Sequence, residues 1–185
     1  MARIRLETSR MNDLVEQLLT LARLDVQPPT DLEQVDLTAL CAEVIANLQV
    51  TAPGHLVELI EGEPLVVLGD EVSLRQVAVN LVSNSLRHTP DGTTTTVEVS
   101  REPDDSAVRL IVSDNGPGMT EEQLEHAFDR FWRANSGRGP SGGTGLGLAI
   151  VRASALANGG TVALESGVGE GLRVTVRLPA RLHYP

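Results

Sequence analysis

The sequence predicts an α+β two-layer sandwich, a sheet covered on one face by helices, with one long helix ahead of it. Three observations carry this prediction. Helical spacing of apolar residues recurs over 37–49, 71–88 and 146–158. Between these segments stand strand-like runs, 56–60, 65–68, 94–101, 108–113, 161–166 and 172–178, with turn residues around them. Apolar residues make up 41% of the 185, enough for a core, and aromatics at 2% require that core to be aliphatic.

The elements follow in order. Residues 4–25 place Ile4, Met11, Leu14, Leu18, Leu21 and Leu24 at spacings of three, four and seven, an amphipathic helix with coiled-coil character. Gln27-Pro28-Pro29-Thr30 ends it and reads as a linker. Val35-Asp36 closes a short strand before the helix that starts at Leu37. Gly69-Asp70 caps the helix 71–88, which carries Val72, Gln76, Val79 and Val82 on its faces. Thr94–Arg101 and Val108–Ser113 pair as a hairpin around Pro103-Asp104-Asp105. Asp114-Asn115-Gly116-Pro117-Gly118 breaks the second strand, and Thr120-Glu121-Glu122-Gln123 reads as a capping box opening a short helix. Residues 133–144 are mostly Gly, Ser, Arg and Pro and read as a mobile loop. Gly159-Gly160 closes the helix 146–158.

Composition narrows the function. The net charge is -10, and all basic residues are arginine. An acidic chain makes a poor partner for a phosphate backbone, so nucleic acid is disfavoured. Cys41 is the only cysteine, which excludes an internal disulfide; its apolar helical setting reads as core. No apolar run reaches the roughly 18 residues of a membrane-spanning helix, and no signal peptide is visible. The opening Arg3-Ile4-Arg5-Leu6 starts mid-helix without a cap, so the chain reads as a piece of something larger.

The stretch Ser-Gly-Gly-Thr-Gly-Leu-Gly at 141–147 runs straight into a helix. A Walker A loop needs a lysine, and there is none. A dinucleotide fingerprint fits Gly143 and Gly145 but meets Leu148 where the third glycine belongs, and no strand precedes it. What remains is a glycine loop feeding a helix N-terminus, whose free N–H groups suit an anion, or a plain loop-to-helix junction. Three further stretches bear on the choice. Asn80 and Asn84 lie one helical turn apart on a face otherwise lined by Leu and Val; an amide oxygen is a hard ligand suited to Mg²⁺. Asp114 stands at a strand end among glycines that permit close approach of a ligand. Phe128-Asp129-Arg130-Phe131-Trp132-Arg133 holds three of the chain's four aromatics.

In this order, Asn80–Thr89, Asp114–Gly118, Phe128–Phe131 and Gly143–Gly147 resemble the N, G1, F and G2 boxes of sensor histidine kinases. Those belong to the ATP-binding superfamily of gyrase B, the ninety-kilodalton heat-shock chaperones and MutL. The resemblance covers about 35–180 and implies a mixed sheet of about five strands under about three helices. Residues 9–25 resemble the end of the second helix of a kinase dimerisation domain. The implied division is 1–26 for that helix, 27–34 linker, 35–180 ATP-binding domain and 181–185 tail. The resemblance assigns Mg²⁺ to Asn84 and the phosphates or metal to Asn80. Arg87 and His88 match positions near phosphate and nucleotide. Asp114 matches the aspartate on the adenine amino group, with Gly116 and Gly118 shaping its pocket. Gly143, Thr144, Gly145, Leu146 and Gly147 match the loop that contacts phosphates and hinges a lid. Arg133, beside Arg130 and Arg138, lies in or next to that lid, and Thr175 on the last strand is expected under the adenine. Gly169 and Gly171 resemble a weaker glycine motif, where Leu172 replaces the usual Thr.

One position separates two chemistries. The ATPases of the superfamily resemble one another in a Glu four residues before the metal Asn, a base for water; here that position is Asn80, and an amide is no base at neutral pH. ATP is therefore expected to be held, with Mg²⁺, for transfer to a histidine. His55, His88, His126 and His183 do not match the acceptor pattern, a His followed by an acidic residue on a dimerisation helix. The acceptor is expected on a dimerisation domain outside the chain, with a response regulator as the next partner. The resemblance further implies a cytoplasmic domain of a membrane sensor, monomeric as this piece and homodimeric as the whole. An anti-sigma-factor-type serine kinase and a non-catalytic nucleotide-binding module of the same fold remain as alternatives.

Overall fold

A computed structural model describes residues 2–26, 32–60, 62–134 and 143–180. The long helix α1 is Ala2–Val26. Strand β1, Glu33–Asp36, leads into α2, Leu37–Gln49, whose N-cap Asp36 accepts from the Ala39 N–H. Strands β2, Leu56–Ile60, and β3, Val66–Gly69, precede α3, Glu71–His88. A hairpin of β4, Thr94–Arg101, and β5, Ala107–Asp114, comes next. Helix α4, Glu121–His126, opens with the capping box of Thr120 and Gln123. Helix α5, Gly147–Ala157, and strands β6, Thr161–Ser166, and β7, Leu172–Pro179, complete the order. Among the described residues no helix is long and apolar enough to cross a membrane.

Five strands form a mixed sheet in the order β2-β4-β5-β7-β6, parallel only between β2 and β4. The remaining two, β1 and β3, pair antiparallel in a separate ribbon. The neighbouring runs 56–60 and 65–68 thus enter different sheets, a division that their local pattern does not contain.

Alternation along the strands sends one set of side chains to the helices. Val97 and Val99 of β4, Val108, Leu110 and Val112 of β5, and Leu172, Val174, Val176 and Leu178 of β7 are all buried with α2, α3 and α5. Each large aliphatic side chain buried in this way contributes about 1.5–3 kcal/mol of transfer free energy. Cys41 is part of this core at 1% exposure, and burial pushes its thiol up to about 12. It is a packing residue with no reactive thiolate.

Two polar joints fix how α5 lies on α3. Asp70 caps α3 through the Ser73 N–H, and its own N–H donates to Asn158 Oδ1 at 2.9 Å. Asn158 ends α5 and also donates to Ser73 Oγ at 3.1 Å. The C-terminus of α5 therefore sits on the N-terminus of α3. Two packed helices joined at those ends run antiparallel, so the N-terminus of α5 returns to the last turns of α3. Gly159, at φ +72°, and the Gly160 N–H bonded to Ala155 O close α5 in a left-handed C-cap.

Candidate functional site

The antiparallel pairing brings the glycine loop to the end of α3 that carries Asn84, Arg87 and His88. A side-chain carbon added at Gly143 would lie 3.5 Å from His88 Nε2. The His88 imidazole is held below its ordinary value, first by loss of part of its water shell, then by the Arg87 and Arg133 guanidiniums. The neighbouring Arg87 and, from the stretch about 45–55 residues on, Arg133 and Gly143 thus converge on one histidine. Arg87 and Arg133 are exposed, and Arg138 lies outside the described residues.

Asn80 is the anomaly inside this region. Its side chain is buried at 7% exposure; Oδ1 accepts from Gln76 Nε2 at 3.2 Å, and Nδ2 has no partner. A buried donor without an acceptor costs about 1–3 kcal/mol. An anionic ligand beside α3 would relieve that cost. Asn84, one turn on, is half-buried. Among the described residues no three His, Cys, Asp or Glu side chains gather as a metal site. An amide oxygen, phosphate oxygens and water form a donor set that suits Mg²⁺ better than a transition metal.

The helix α5 offers the complementary end. Helices α2, α3 and α4 are each capped by a side chain, whereas Leu146 before α5 makes no such bond. The first N–H groups of α5 are left for a ligand. The base of the loop is closed by the Phe131 N–H donating to Gly145 O at 2.8 Å. Gly145 has φ +72°, and a side-chain carbon there would meet the Phe131 and Trp132 backbone at 2.7 Å, so only glycine fits.

Asp114 ends β5 on the helix-facing side, with Thr95 and Leu172 as its strand neighbours. Its Oδ1 accepts from the Gly116 N–H at 2.9 Å and from the Leu172 N–H at 3.4 Å. Gly118, at φ +69°, passes so close to Gly167 that a side-chain carbon would stand 1.9 Å from its carbonyl oxygen. The loop after Asp114 is thereby packed under the β6–β7 turn, tied by the Gly169 N–H to Pro117 O at 2.8 Å.

The structure alters two expectations. Thr175 does not reach this site. It pairs with Ile111 and Ala163 and shares the uncovered face of the sheet with Arg173 and Arg177. The register sets Leu172, three residues away and on the other face, beside Asp114. Thr144 and Leu146 turn toward α1: Thr144 Oγ1 bonds Gln17 Oε1 at 2.5 Å, and Leu146 packs fully buried against Leu21 and Ile150. The Leu146 backbone is engaged as well: its N–H donates to Thr144 Oγ1 at 3.3 Å and its carbonyl accepts from the Ile150 N–H at 2.9 Å. A concavity of about 600 Å³ opens at the strand ends beside Asp114, lined by Thr96, Ser113, Asp114, Glu165, Leu172 and Arg173. It does not include α3 or the glycine loop.

Comparison with known proteins identifies the family and the fold. The family model described as histidine kinase-, DNA gyrase B- and HSP90-like ATPase matches residues 69–182. Sensor histidine kinase TrcS of Mycobacterium tuberculosis is 40% identical over 183 residues, which is 97% of this chain and 36% of the relative. The chain therefore spans little more than a third of that protein. The solved structure of full-length ShkA in complex with AMPPNP overlays with TM-score 0.83 at 27% identity, over 96% of this chain and 37% of that one. The mycobacterial sensor histidine kinase MprB overlays with TM-score 0.71 at 26% identity, over 82% of this chain and 99% of that one. The chain belongs to the histidine kinase-, DNA gyrase B- and HSP90-like ATPase family.

Proposed function

We propose that the chain is the ATP-binding catalytic domain of a sensor histidine kinase. It binds ATP with Mg²⁺ and delivers the γ-phosphate to a histidine on a dimerisation domain, from which it passes to a response-regulator aspartate. The observation that carries this reading is the convergence at the end of α3: the buried, unpartnered Asn80 amide, the uncapped N-terminus of α5 and the loop of Asp114. Asp114 would accept from the adenine amino group through Oδ2, since both of its described bonds end on Oδ1. Gly143, Gly145 and Gly147 would let phosphate approach the α5 N-terminus, with Arg87, His88 and Arg133 on the opposite side. Asn84 Oδ1 would hold Mg²⁺, which supplies charge neutralisation between phosphates.

Asn80 in place of a carboxylate supports transfer over hydrolysis, because an amide at that position cannot take a proton from water. In the transfer, an imidazole nitrogen attacks the γ-phosphorus and the bond to the β–γ bridging oxygen breaks. ADP leaves with that electron pair and the imidazole gives up its proton. None of this chain's histidines suits the acceptor role: His126, on α4, bonds Asp129 at 2.8 Å and lies outside any dimerisation helix. Helix α1, read as the tail of the second dimerisation helix, favours this reading over a serine-directed kinase of the same fold.

Titration with ATP, with and without Mg²⁺, tests the site. Asp114→Ala is expected to abolish binding under both conditions, and Asn84→Ala chiefly when Mg²⁺ is present. Label from γ-labelled ATP is expected on a separately supplied dimerisation domain and not on this chain. Fast steady-state phosphate release by the wild type would overturn the kinase reading.

A further inference from the structure

His55 is the one buried histidine among the described residues, and the site above makes no use of it. It stands just before β2, at 9% exposure, with its backbone fixed on both sides. Its N–H donates to Ala52 O at 3.1 Å, and its carbonyl accepts from Gln49 Nε2 at 2.7 Å. The same glutamine accepts from the Val57 N–H, so one side chain brackets the position. A backbone held in this way aims the imidazole, and the imidazole meets Thr89.

Nε2 of His55 lies 3.2 Å from Thr89 O and 3.2 Å from Thr89 Oγ1. A carbonyl oxygen only accepts, so Nε2 carries the proton. The Thr89 hydroxyl donates to Ser85 O at 2.8 Å and turns a lone pair to the imidazole. Thr89 is the C-cap of α3, directly after His88. Its other side faces the loop of Asp114: a side-chain carbon added at Gly116 would stand 2.5 Å from Thr89 Cγ2. Thr89 is thus held between a buried histidine and the Gly116 backbone. Gly116 in turn donates its N–H to Asp114 Oδ1 at 2.9 Å. The series His55, Thr89, Gly116, Asp114 is continuous, each step a hydrogen bond or a van der Waals contact. The other ring nitrogen, Nδ1, lies 3.9 Å from the exposed Asp91 carboxylate, too weak a contact to orient the ring against the Thr89 bonds.

We propose that His55 is a positioning residue for the adenine end of the nucleotide site: through Thr89 it presses the Gly116 loop into the position that aims the Asp114 carboxylate. This rests on the nucleotide reading of the site. A histidine that only filled the core would leave base recognition untouched in any variant that still folds. A positioning histidine would lose it with the donor to Thr89 and keep it where that donor is retained.

The test compares His55→Ala, His55→Gln and Thr89→Val with wild type, by calorimetric titration of ATP, ADP and GTP, melting temperature, and amide exchange at Gly116 without ligand. Glutamine carries a donor at the distance of Nε2 and should keep the bond to Thr89 O. The Ala variant is expected to bind ATP and ADP about tenfold more weakly and to lose ATP-over-GTP preference. The Mg²⁺ dependence should stay as in wild type, and Gly116 exchange should quicken. The Gln variant should return to within about threefold of wild type, and Thr89→Val, which keeps the methyl and loses the hydroxyl, should lie between them. If the Ala variant does not fold, the Gln and Val variants decide by the same readouts. Unchanged base preference and unchanged Gly116 exchange in a folded His55→Ala or Thr89→Val variant, or a His55→Gln variant as weak as His55→Ala, would overturn the proposal. Wild type that fails to bind ATP would overturn the nucleotide reading itself, while the Gly116 exchange would still report on the clamp.

Discussion

Gly145 and Gly147 lie two residues apart in one loop, and the structure predicts opposite responses to the same substitution. At Gly147 a side-chain carbon would meet nothing within 4 Å, and the residue opens α5. Alanine there should stabilise the fold by roughly 0.5–1 kcal/mol, because glycine loses more chain entropy in a helix. For a chain of this size that is a rise of roughly 1–4 °C in melting temperature. The same methyl would stand where phosphate approaches the uncapped N–H groups. Losing one charge-assisted bond costs about 1.5–3 kcal/mol, so ATP affinity should fall about ten- to a hundredfold. At Gly145 alanine must adopt φ +72°, which costs about 1 kcal/mol, and its methyl must displace the Phe131 and Trp132 backbone, which costs at least about another 1. Loss of the Phe131 to Gly145 bond brings the total to about 3 kcal/mol, or roughly 6–12 °C. Differential scanning calorimetry with ATP titration on both variants provides the measurement. A Gly147→Ala protein that is more stable and binds ATP as wild type would refute the phosphate role of this loop. An unchanged melting temperature for Gly145→Ala would refute the closure of its base.

Three further outcomes are expected. His88 is held below its ordinary value near 6.5, so it is neutral at pH 7 in the free protein. Phosphate brought beside it raises that value, so ATP binding should take up a proton and tighten as pH falls from about 7.5 to about 6; His88→Gln should flatten this dependence in titrations across that range. Leu21→Ala removes a side chain at 2% exposure from its contact with Leu146 and Ile150, a loss of about 2–3 kcal/mol. Since that small cluster is the buried apolar part of the contact between α1 and α5, hydrogen exchange should quicken along α1 while the sheet core stays protected. Asp70→Ala removes the cap of α3 and should cost about 1 kcal/mol, roughly 2–4 °C in melting temperature.

The sequence by itself determined the elements and the order of the motifs. Asp70 and Thr120 cap the helices they precede, and the strand runs end within a residue or two of their patterns, because capping and alternation act over a few neighbouring residues. The missing lysine and the Asn80 position likewise needed no coordinates. Tertiary structure decided what meets what. It sent β2 and β3 to different sheets, and it turned Thr144 and Leu146 toward α1. It also set Leu172, in place of Thr175, beside Asp114. That depends on register, where a shift of one residue exchanges the two faces of a strand and the pairing partners lie 58 residues apart. His55 carried no signal in the chain at all, since its meaning comes from Thr89, 34 residues on, and from the glycine loop against which Thr89 leans.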